Sequence, residues 1–294
     1  MANFSGKLNT IAQNTDSYLK SVFSKQNSKS YLIKPMKYGV FSGGKRFRSA
    51  IVVNTGKIFG IDYKKLIIIG AAVECLHSYS LMHDDLPSMD NDDLRRGRPS
   101  THKKFNEYTA ILAGNSLLTL AFEILSGSDL KISQKIKAEL IRALSNCSGH
   151  SGLAGGQYSD LTFENKNISK KNIINMQKKK TGELFGFCCE SIAVINEENI
   201  NKRKLLREIG LQIGLLFQTV DDLIDYKGDS GIVGKPTKSD KKKGKATLVN
   251  LLGYSETLNF AKTLKKKLDQ QIKKYGIKAN DLLESIEFIL TREF

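Results

Sequence analysis

Two clusters of aspartates could hold a metal ion, judged by residue type and spacing. They are HDDLPSMD at residues 83–90 and DDLID at residues 221–225. In the second, Asp221 and Asp225 lie one helical turn apart on one face. In the first, Pro87 breaks a helix, so Asp90 can turn back toward Asp84. Carboxylates this close repel each other unless they share a cation, and their hard oxygens suit Mg²⁺ with phosphate as a further ligand.

Basic residues that could receive phosphate accompany these clusters. The segment GGKRFR at residues 43–48 places two glycines before a predicted helix whose first turn carries Lys45 and Arg48. Free N–H groups at a helix N-terminus attract phosphate, and an arginine adds bidentate hydrogen bonds. Further candidate cations are Arg95, Arg96, Lys180, Lys235 and Lys245.

Helices must position these side chains, because apolar residues recur at helical spacing and no alternating strand of useful length occurs. The sequence therefore predicts an all-α, single domain over residues 1–294. The segment 63–84 is apolar on nearly all sides, which predicts a helix surrounded by others and ending at the first aspartate cluster. The predicted helices cover residues 5–24, 45–59, 63–84, 105–126, 131–148, 169–195, 200–227, 245–272 and 280–292.

Composition narrows the class of protein. The 294 residues include 46 Lys and Arg, 30 Asp and Glu and only four cysteines, which excludes a disulfide-stapled secreted domain. The most apolar run, residues 66–82, is shorter than a membrane helix and contains Glu74 and His77. We expect a cytoplasmic protein with no stable membrane insertion. The net charge of +16 leaves open nucleic acid, an anionic membrane surface, an anionic substrate or compositional drift.

The motifs together resemble the trans-prenyl diphosphate synthases in order and spacing, from about residue 35 to the end of the chain. The first cluster has four residues between its aspartate pair and its last aspartate, which is similar to the bacterial farnesyl diphosphate synthase type. The motifs that carry the resemblance are GGKRFR, ECLH (74–77), HDDLPSMDNDDLRRGRPSTH (83–102), GGQYSDL (155–161), KTGELF (180–185) and FQTVDDLIDYKGD (217–229).

This resemblance implies a bundle of about ten helices around a central substrate cavity. It implies a Mg²⁺-dependent prenyltransferase that condenses isopentenyl diphosphate head to tail with dimethylallyl and geranyl diphosphate to give (2E,6E)-farnesyl diphosphate. It also implies a homodimer.

The family resemblance implies a role for each residue at a matching position of this sequence. Isopentenyl diphosphate would be bound by Lys45, Arg48, His77 and Arg96. Three Mg²⁺ ions would be held by Asp84, Asp90 and Asp221, with Asp85, Asp222 and Asp225 adjacent. The allylic diphosphate would contact Arg95, Lys180, Lys235 and Lys245. The allylic carbon would be lined by Thr181 and Gln218, with Gln157 and Asp160 in a supporting motif.

Product length depends on the residues that precede the first cluster. Tyr79 lies five residues before Asp84, about 7.5 Å along the helix axis. In the resembling family an aromatic residue here stops growth at C15, and Tyr79 followed by Ser80 is similar to the bacterial C15 pattern. A geranylgeranyl (C20) diphosphate synthase is the alternative.

Three other functions remain to be weighed. A class I terpene cyclase would lack the second-substrate residues in GGKRFR and His77. A non-catalytic, prenyl-synthase-like regulatory subunit would have lost aspartate or arginine positions, and none is missing. A nucleic-acid-binding protein would line one face with basic and aromatic residues, whereas the identifiable arginines lie beside acidic clusters. We therefore expect no nucleic-acid partner.

Overall fold

The secondary structure agrees with the all-α prediction. A computed structural model describes residues 2–26, 29–227 and 243–292, and these residues form fourteen α-helices. A π-helical turn covers Lys178–Gly182, a 3₁₀ segment covers Lys273–Ala279, and two short strands pair as a hairpin, β1 Leu94–Arg95 and β2 Arg98–Pro99. The helices are α1 Ala2–Lys25, α2 Ile33–Val40, α3 Phe47–Ile58, α4 Tyr63–Asp84, α5 Thr101–Lys104, α6 Glu107–Ser126, α7 Gln134–Ser148, α8 Leu153–Thr162, α9 Lys170–Gln177, α10 Glu183–Ile195, α11 Ile200–Lys227, α12 Leu248–Leu252, α13 Tyr254–Ile272 and α14 Asn280–Thr291.

Helix α4 is the central helix that its apolar sequence predicts. It packs against α1, α2, α3, α6 and α10, so its side chains are buried around most of its circumference. The carboxylate of Asp62 caps its N-terminus by accepting the N–H groups of Lys64 and Lys65. The surrounding helices therefore fix the position of Asp84, its last residue.

Helices α10 and α11 form the second half of the core and cross in close contact. A Cβ atom at Gly210 would collide with the carbonyl oxygen of Phe185, and one at Gly214 would lie 2.6 Å from the Cα of Gly182. The glycines thus bring the backbones together. This packing fixes α11, which carries the second aspartate cluster near its C-terminal end.

The start of α3 differs from the predicted helix at residues 45–59. Helix α3 begins at Phe47, because Gly43, Gly44 and Arg46 all have positive φ, at 98°, 108° and 49°. Lys45 therefore precedes the helix and does not share a helical face with Arg48. The prediction that both lie in the first turn was wrong.

Other boundaries differ where the backbone makes close contacts or adopts unusual angles. The predicted helix at 169–195 is divided by the π turn, and the one at 245–272 is interrupted at Gly253, whose φ is 81°. Helices α2, α5 and α8 were not predicted as separate elements. In α8, Gly156 is required because a Cβ atom there would collide with the backbone of Lys180, and such a contact is invisible to local helix propensity.

Two of the described helices, α4 and α6, are long and apolar enough to cross a membrane by length and composition. In α4, 78% of the most apolar window is buried inside the fold, as in the core helix of a soluble protein. In α6 the buried share is only 44%, which leaves an apolar face uncovered.

Candidate active site

The first aspartate cluster forms a turn at the end of α4. The N–H of Asp90 donates to the carbonyl of Asp84 at 2.8 Å, so the chain folds back as Pro87 predicts. The buried carboxylate of Asp85 accepts hydrogen bonds from Nε of Arg95, at 2.9 Å, and from its Nη2. The more accessible carboxylates of the cluster are those of Asp84 and Asp90.

Two lysines lie among these carboxylates. Nζ of Lys180, in the π turn, lies 2.7 Å from Oδ2 of Asp160. Nζ of Lys245 is within hydrogen-bond distance of three carboxylates, those of Asp90 at 2.8 Å, Asp160 at 2.9 Å and Glu164 at 2.8 Å. The lysine side chains thus occupy the position where the sequence predicts metal ions and diphosphate.

Burial and charge oppose each other in this network. Burial, and then the carboxylates of Asp90 and Asp85, raise the pKa of Asp84 to about 6 although Lys180 lowers it. Burial lowers the pKa of Lys180, but Asp160, Asp84 and Asp90 outweigh it, so that the pKa is raised. The site therefore favours the protonated form of the lysines. The negative charge at Asp84 is unfavourable there, and a bound cation would stabilise it.

The second cluster divides into a buried and a more exposed carboxylate. Asp222 is buried and accepts hydrogen bonds from Nε2 of Gln177 at 2.6 Å and of Gln218 at 2.8 Å. Oε1 of Gln218 in turn accepts from the hydroxyl of Thr181 at 2.7 Å. Asp221 is 36% exposed in its side chain, and Asp225 lies one turn further along α11.

The π turn connects the two clusters. Lys180 is paired to Asp160 and lies in the field of Asp84 and Asp90, whereas the next residue, Thr181, bonds to Gln218 beside the second cluster. Consecutive side chains therefore reach opposite halves of the site. Such π-helical turns are frequent at functional sites.

Arg292 is a site residue that the sequence did not predict. It donates hydrogen bonds through Nη2 to the carbonyl of Phe217, at 3.0 Å, and to Asp221. Its guanidinium lies 3.8 Å from the centre of the Phe217 ring. The only signal in the sequence is a basic residue near the C-terminus, which says nothing about its return to α11.

A second basic region lies between α3 and α4. Nη1 of Arg48 is 3.1 Å from Nε2 of His77. Burial, and then the charges of Arg48 and Arg96, lower the pKa of His77 well below 6.5, so the neutral ring accepts this hydrogen bond. Nε of Arg48 has no partner among the described residues. The predicted pair Arg48 and His77 is therefore brought together, as a donor-rich group.

Gly43 and Gly44 of the GGKRFR segment contact another arginine, Arg96. Nη1 of Arg96 donates to the carbonyl of Gly43, and a Cβ atom at Gly44 would collide with the Arg96 guanidinium. The hairpin that carries Arg95 and Arg96 thus docks on this loop. Lys45 is exposed, with Nζ 4.9 Å from the centre of the Phe288 ring. By contrast, Arg46 is buried and bonds to Asp16 at 2.7 Å, so its role is structural.

The candidate chain-length residues lie on α4 before the first cluster. The half-buried ring of Tyr79 packs edge-on against His83, with centroids 4.7 Å apart. His83 is itself pressed against Gly114 of α6, where a Cβ atom would collide with its ring. Ser80 is buried and donates to the carbonyl of His77 at 2.9 Å.

The donor set fits a hard divalent cation that shares its coordination with a substrate. Among the described residues no three His, Cys, Asp or Glu side chains converge on one point to enclose an ion. Asp84 and Asp90 on one side, and Asp221 and Asp225 on the other, supply carboxylate oxygens and leave positions for phosphate oxygens and water. Lys235 lies outside the described residues.

Comparison with known proteins identifies the family. The sequence model described as polyprenyl synthetase matches residues 29–285. The chain belongs to this family. It is 39% identical over 267 residues to the farnesyl diphosphate synthase of Escherichia coli (strain K12), which covers 89% of both chains.

Two solved structures of other proteins are similar to this chain over nearly its whole length. The apo structure of an FPP/GFPP synthase from Zymomonas mobilis has a TM-score of 0.86, 35% identity and 99% coverage of both chains. A geranyltransferase from Helicobacter pylori, complexed with magnesium and isoprenyl diphosphate, has a TM-score of 0.80, 31% identity and 96% coverage of both chains. Prenyl synthases bind isoprenyl diphosphates, and the chain is a prenyltransferase.

We expect Lys245 to be required for stability at neutral pH. Replacing it by methionine keeps the volume but leaves Asp90, Asp160 and Glu164 without their shared cation. The free energy of unfolding should fall by about 3–5 kcal/mol at pH 7. The pKa of Lys245 is raised in the fold and those of Asp90 and Asp160 are lowered, so the deficit should shrink as pH falls below the ordinary aspartate value of 3.8.

The matched control is Lys243→Met. Lys243 pairs with Asp92 at 2.6 Å, both side chains being 29% exposed, and donates to the carbonyl of Asp90 at 2.7 Å. Because this pair is more accessible to solvent and contains a single carboxylate, its loss should cost no more than about 1 kcal/mol. Urea titrations of both variants from acidic to neutral pH measure the difference. Equal losses for the two lysines would contradict the structural role of Lys245.

Proposed function

We propose that the chain condenses isopentenyl diphosphate with dimethylallyl and then geranyl diphosphate to give (2E,6E)-farnesyl diphosphate. The observation that carries this proposal is the junction at Lys180 and Thr181. Lys180 pairs with Asp160 in the field of Asp84 and Asp90, whereas Thr181 bonds to Gln218, which itself bonds to Asp222. The family membership and the farnesyl diphosphate synthase of E. coli support it.

The allylic diphosphate would lie between the two clusters. Lys180 and Lys245 would exchange their carboxylate partners in part for its phosphate oxygens. Lys235, and Arg95 while it stays bound to Asp85, would contact the diphosphate as well. We propose that three Mg²⁺ ions are held by Asp84, Asp90 and Asp221, and they would supply charge neutralisation for the departing diphosphate. The carboxylates of Asp85 and Asp222 would keep their present partners and orient these ligands.

Isopentenyl diphosphate would occupy the basic region of Lys45, Arg48, His77 and Arg96. The unpartnered Nε of Arg48 supports this placement, since a diphosphate oxygen would satisfy it. The diphosphate would be fixed there while the double bond faces the allylic carbon. The diphosphate groups of the two substrates would thus lie in two separate basic regions.

The reaction needs ionisation more than a side-chain base. When the allylic C–O bond breaks, Lys180, Lys245 and Arg95 stabilise the negative charge on the leaving diphosphate. The double bond of isopentenyl diphosphate attacks the allylic cation, a new C–C bond forms, and a proton is lost to the departed diphosphate. Thr181 and Gln218 line the allylic carbon, and apolar walls exclude water.

Activity should require Asp84 and the divalent ion. Labelled isopentenyl diphosphate incubated with geranyl diphosphate and Mg²⁺ should give a condensed product. In Asp84→Ala the rate should fall at least about a hundredfold, because charge at the leaving group is no longer neutralised. Asp93→Ala is the control, since Asp93 is exposed and pairs only with Lys103 among the described residues. No condensed product from the unaltered chain would refute the proposed function.

We propose that the Tyr79 ring stops chain growth at a C15 product. Replacing Tyr79 by alanine removes the ring that packs on His83 and should shift the product toward C20 or longer. The control is Tyr31→Ala, because that ring is 96% exposed. Chromatography of the dephosphorylated products distinguishes the outcomes, and an unchanged C15 product in Tyr79→Ala would place the floor of the pocket elsewhere.

A homodimer through α6 is proposed from its uncovered apolar face. Tyr108, Ile111 and Leu112 are exposed by 68%, 40% and 48%, and no charged residue occurs in α6 between Glu107 and Glu123. Leu112→Glu should give monomers in light scattering, whereas Leu205→Glu, at a similarly exposed leucine of α11, should not. A dimer that persists in Leu112→Glu would exclude this interface. The single domain over 1–294 and the cytoplasmic location stay predictions.

A further inference from the structure

One strongly charged surface has no part in the proposed reaction. The exposed side of α13 and of the 3₁₀ segment after it carries six lysines and no exposed carboxylate from residue 257 to residue 280. We call this surface the lysine face; its members are Lys262, Lys266, Lys267, Lys273, Lys274 and Lys278. The opposite side of α13 is buried through Ala261, Leu264 and Leu268, so helical periodicity directs the lysines outward.

The positive charge of the lysine face is not neutralised by its neighbours. Among the described residues none of the six lysines forms an ion pair, because the nearby carboxylates have other partners. Asp269 and Glu287 both bind Lys265, at 2.7 and 2.6 Å. Asp281 binds Lys7 and Lys57, at 2.7 and 2.6 Å. The face therefore presents uncompensated charge to solvent.

The residue types of the lysine face favour lipid headgroups over nucleic acid. The face has no arginine, which is the residue that reads phosphates and bases by bidentate bonds. It also has no exposed aromatic ring on which a base could stack, since Tyr275 is half-buried against Phe59 at 5.9 Å. Instead, Ile277 is 83% exposed between Gly276 and Lys278, an apolar tip among point charges. Clustered lysines with an apolar contact are typical of peripheral binding to anionic bilayers.

The lysine face also lies apart from the proposed dimer interface. Helix α13 packs against α11, α12 and α14, whereas α6 packs against α2, α4, α5 and α7. A second copy bound through α6 would leave the lysine face uncovered. Each dimer would then present two such faces.

We propose that the lysine face binds anionic lipid bilayers peripherally and reversibly. The lysines attract the negative headgroups, and Ile277 enters the interfacial layer. The binding is electrostatic in the main, so it weakens as salt rises. No residue of the two aspartate clusters is needed for it.

The test is co-sedimentation of the full chain with phosphatidylcholine vesicles, with and without phosphatidylglycerol. The unaltered protein should bind only the anionic vesicles and should be released by high salt. The variant Lys266→Glu/Lys267→Glu/Lys273→Glu/Lys274→Glu should reduce the partition coefficient by roughly a hundredfold or more, given the contribution of each lysine at an anionic surface. Ile277→Ser should reduce it by a smaller factor.

A control variant removes the same charge from other surfaces. Lys20→Glu/Lys34→Glu/Lys64→Glu/Lys131→Glu changes four exposed lysines on α1, α2, α4 and the loop before α7 and should retain most of the binding. Circular dichroism and prenyltransferase activity establish that both variants are folded. The proposal is overturned by equal loss in both variants, by equal binding to neutral vesicles, or by no vesicle binding. Salt-sensitive binding of a single-stranded oligonucleotide without vesicle binding would assign the face to nucleic acid instead.

Discussion

The buried crowding of negative charge at the end of α4 is the constraint on which the site depends. Asp90 lies in the field of both Asp84 and Asp160, and burial alone raises the cost of ionising the three carboxylates. Lys180 and Lys245 compensate that charge in the free chain. A site built this way can exchange these partners for cations and phosphates with little change in the number of buried charges.

The rest of the fold holds these charges in place. Helix α4 ends at Asp84, and α11 carries its aspartates near its C-terminal end. Because both helices are packed into the core over most of their length, the two clusters are held in fixed positions. The glycines at 156, 182, 210 and 214 let α8, the π turn, α10 and α11 approach through their backbones. The π turn then places Lys180 and Thr181 on opposite halves of the site.

The basic residues fall into three groups that differ in their surroundings. Some cations face the aspartates and some, such as Arg46, are structural partners inside the core. A third group, the lysine face of α13 and the 3₁₀ segment, forms no ion pair among the described residues. The net charge of +16 does not distinguish these groups, because the interaction energy of each cation depends on its distance from the nearest carboxylate.

The sequence by itself determined the all-α class, the central helix α4 and both aspartate clusters, since apolar periodicity, Pro87 and motif spacing are local properties. It also brought Arg48 and His77 into one group through the family resemblance. Only the tertiary structure decided that α3 starts after Lys45, that Arg292 returns to Asp221, and that Lys245 joins three carboxylates. These contacts join residues far apart in the chain or depend on positive φ angles, and neither propensity nor spacing encodes such distances.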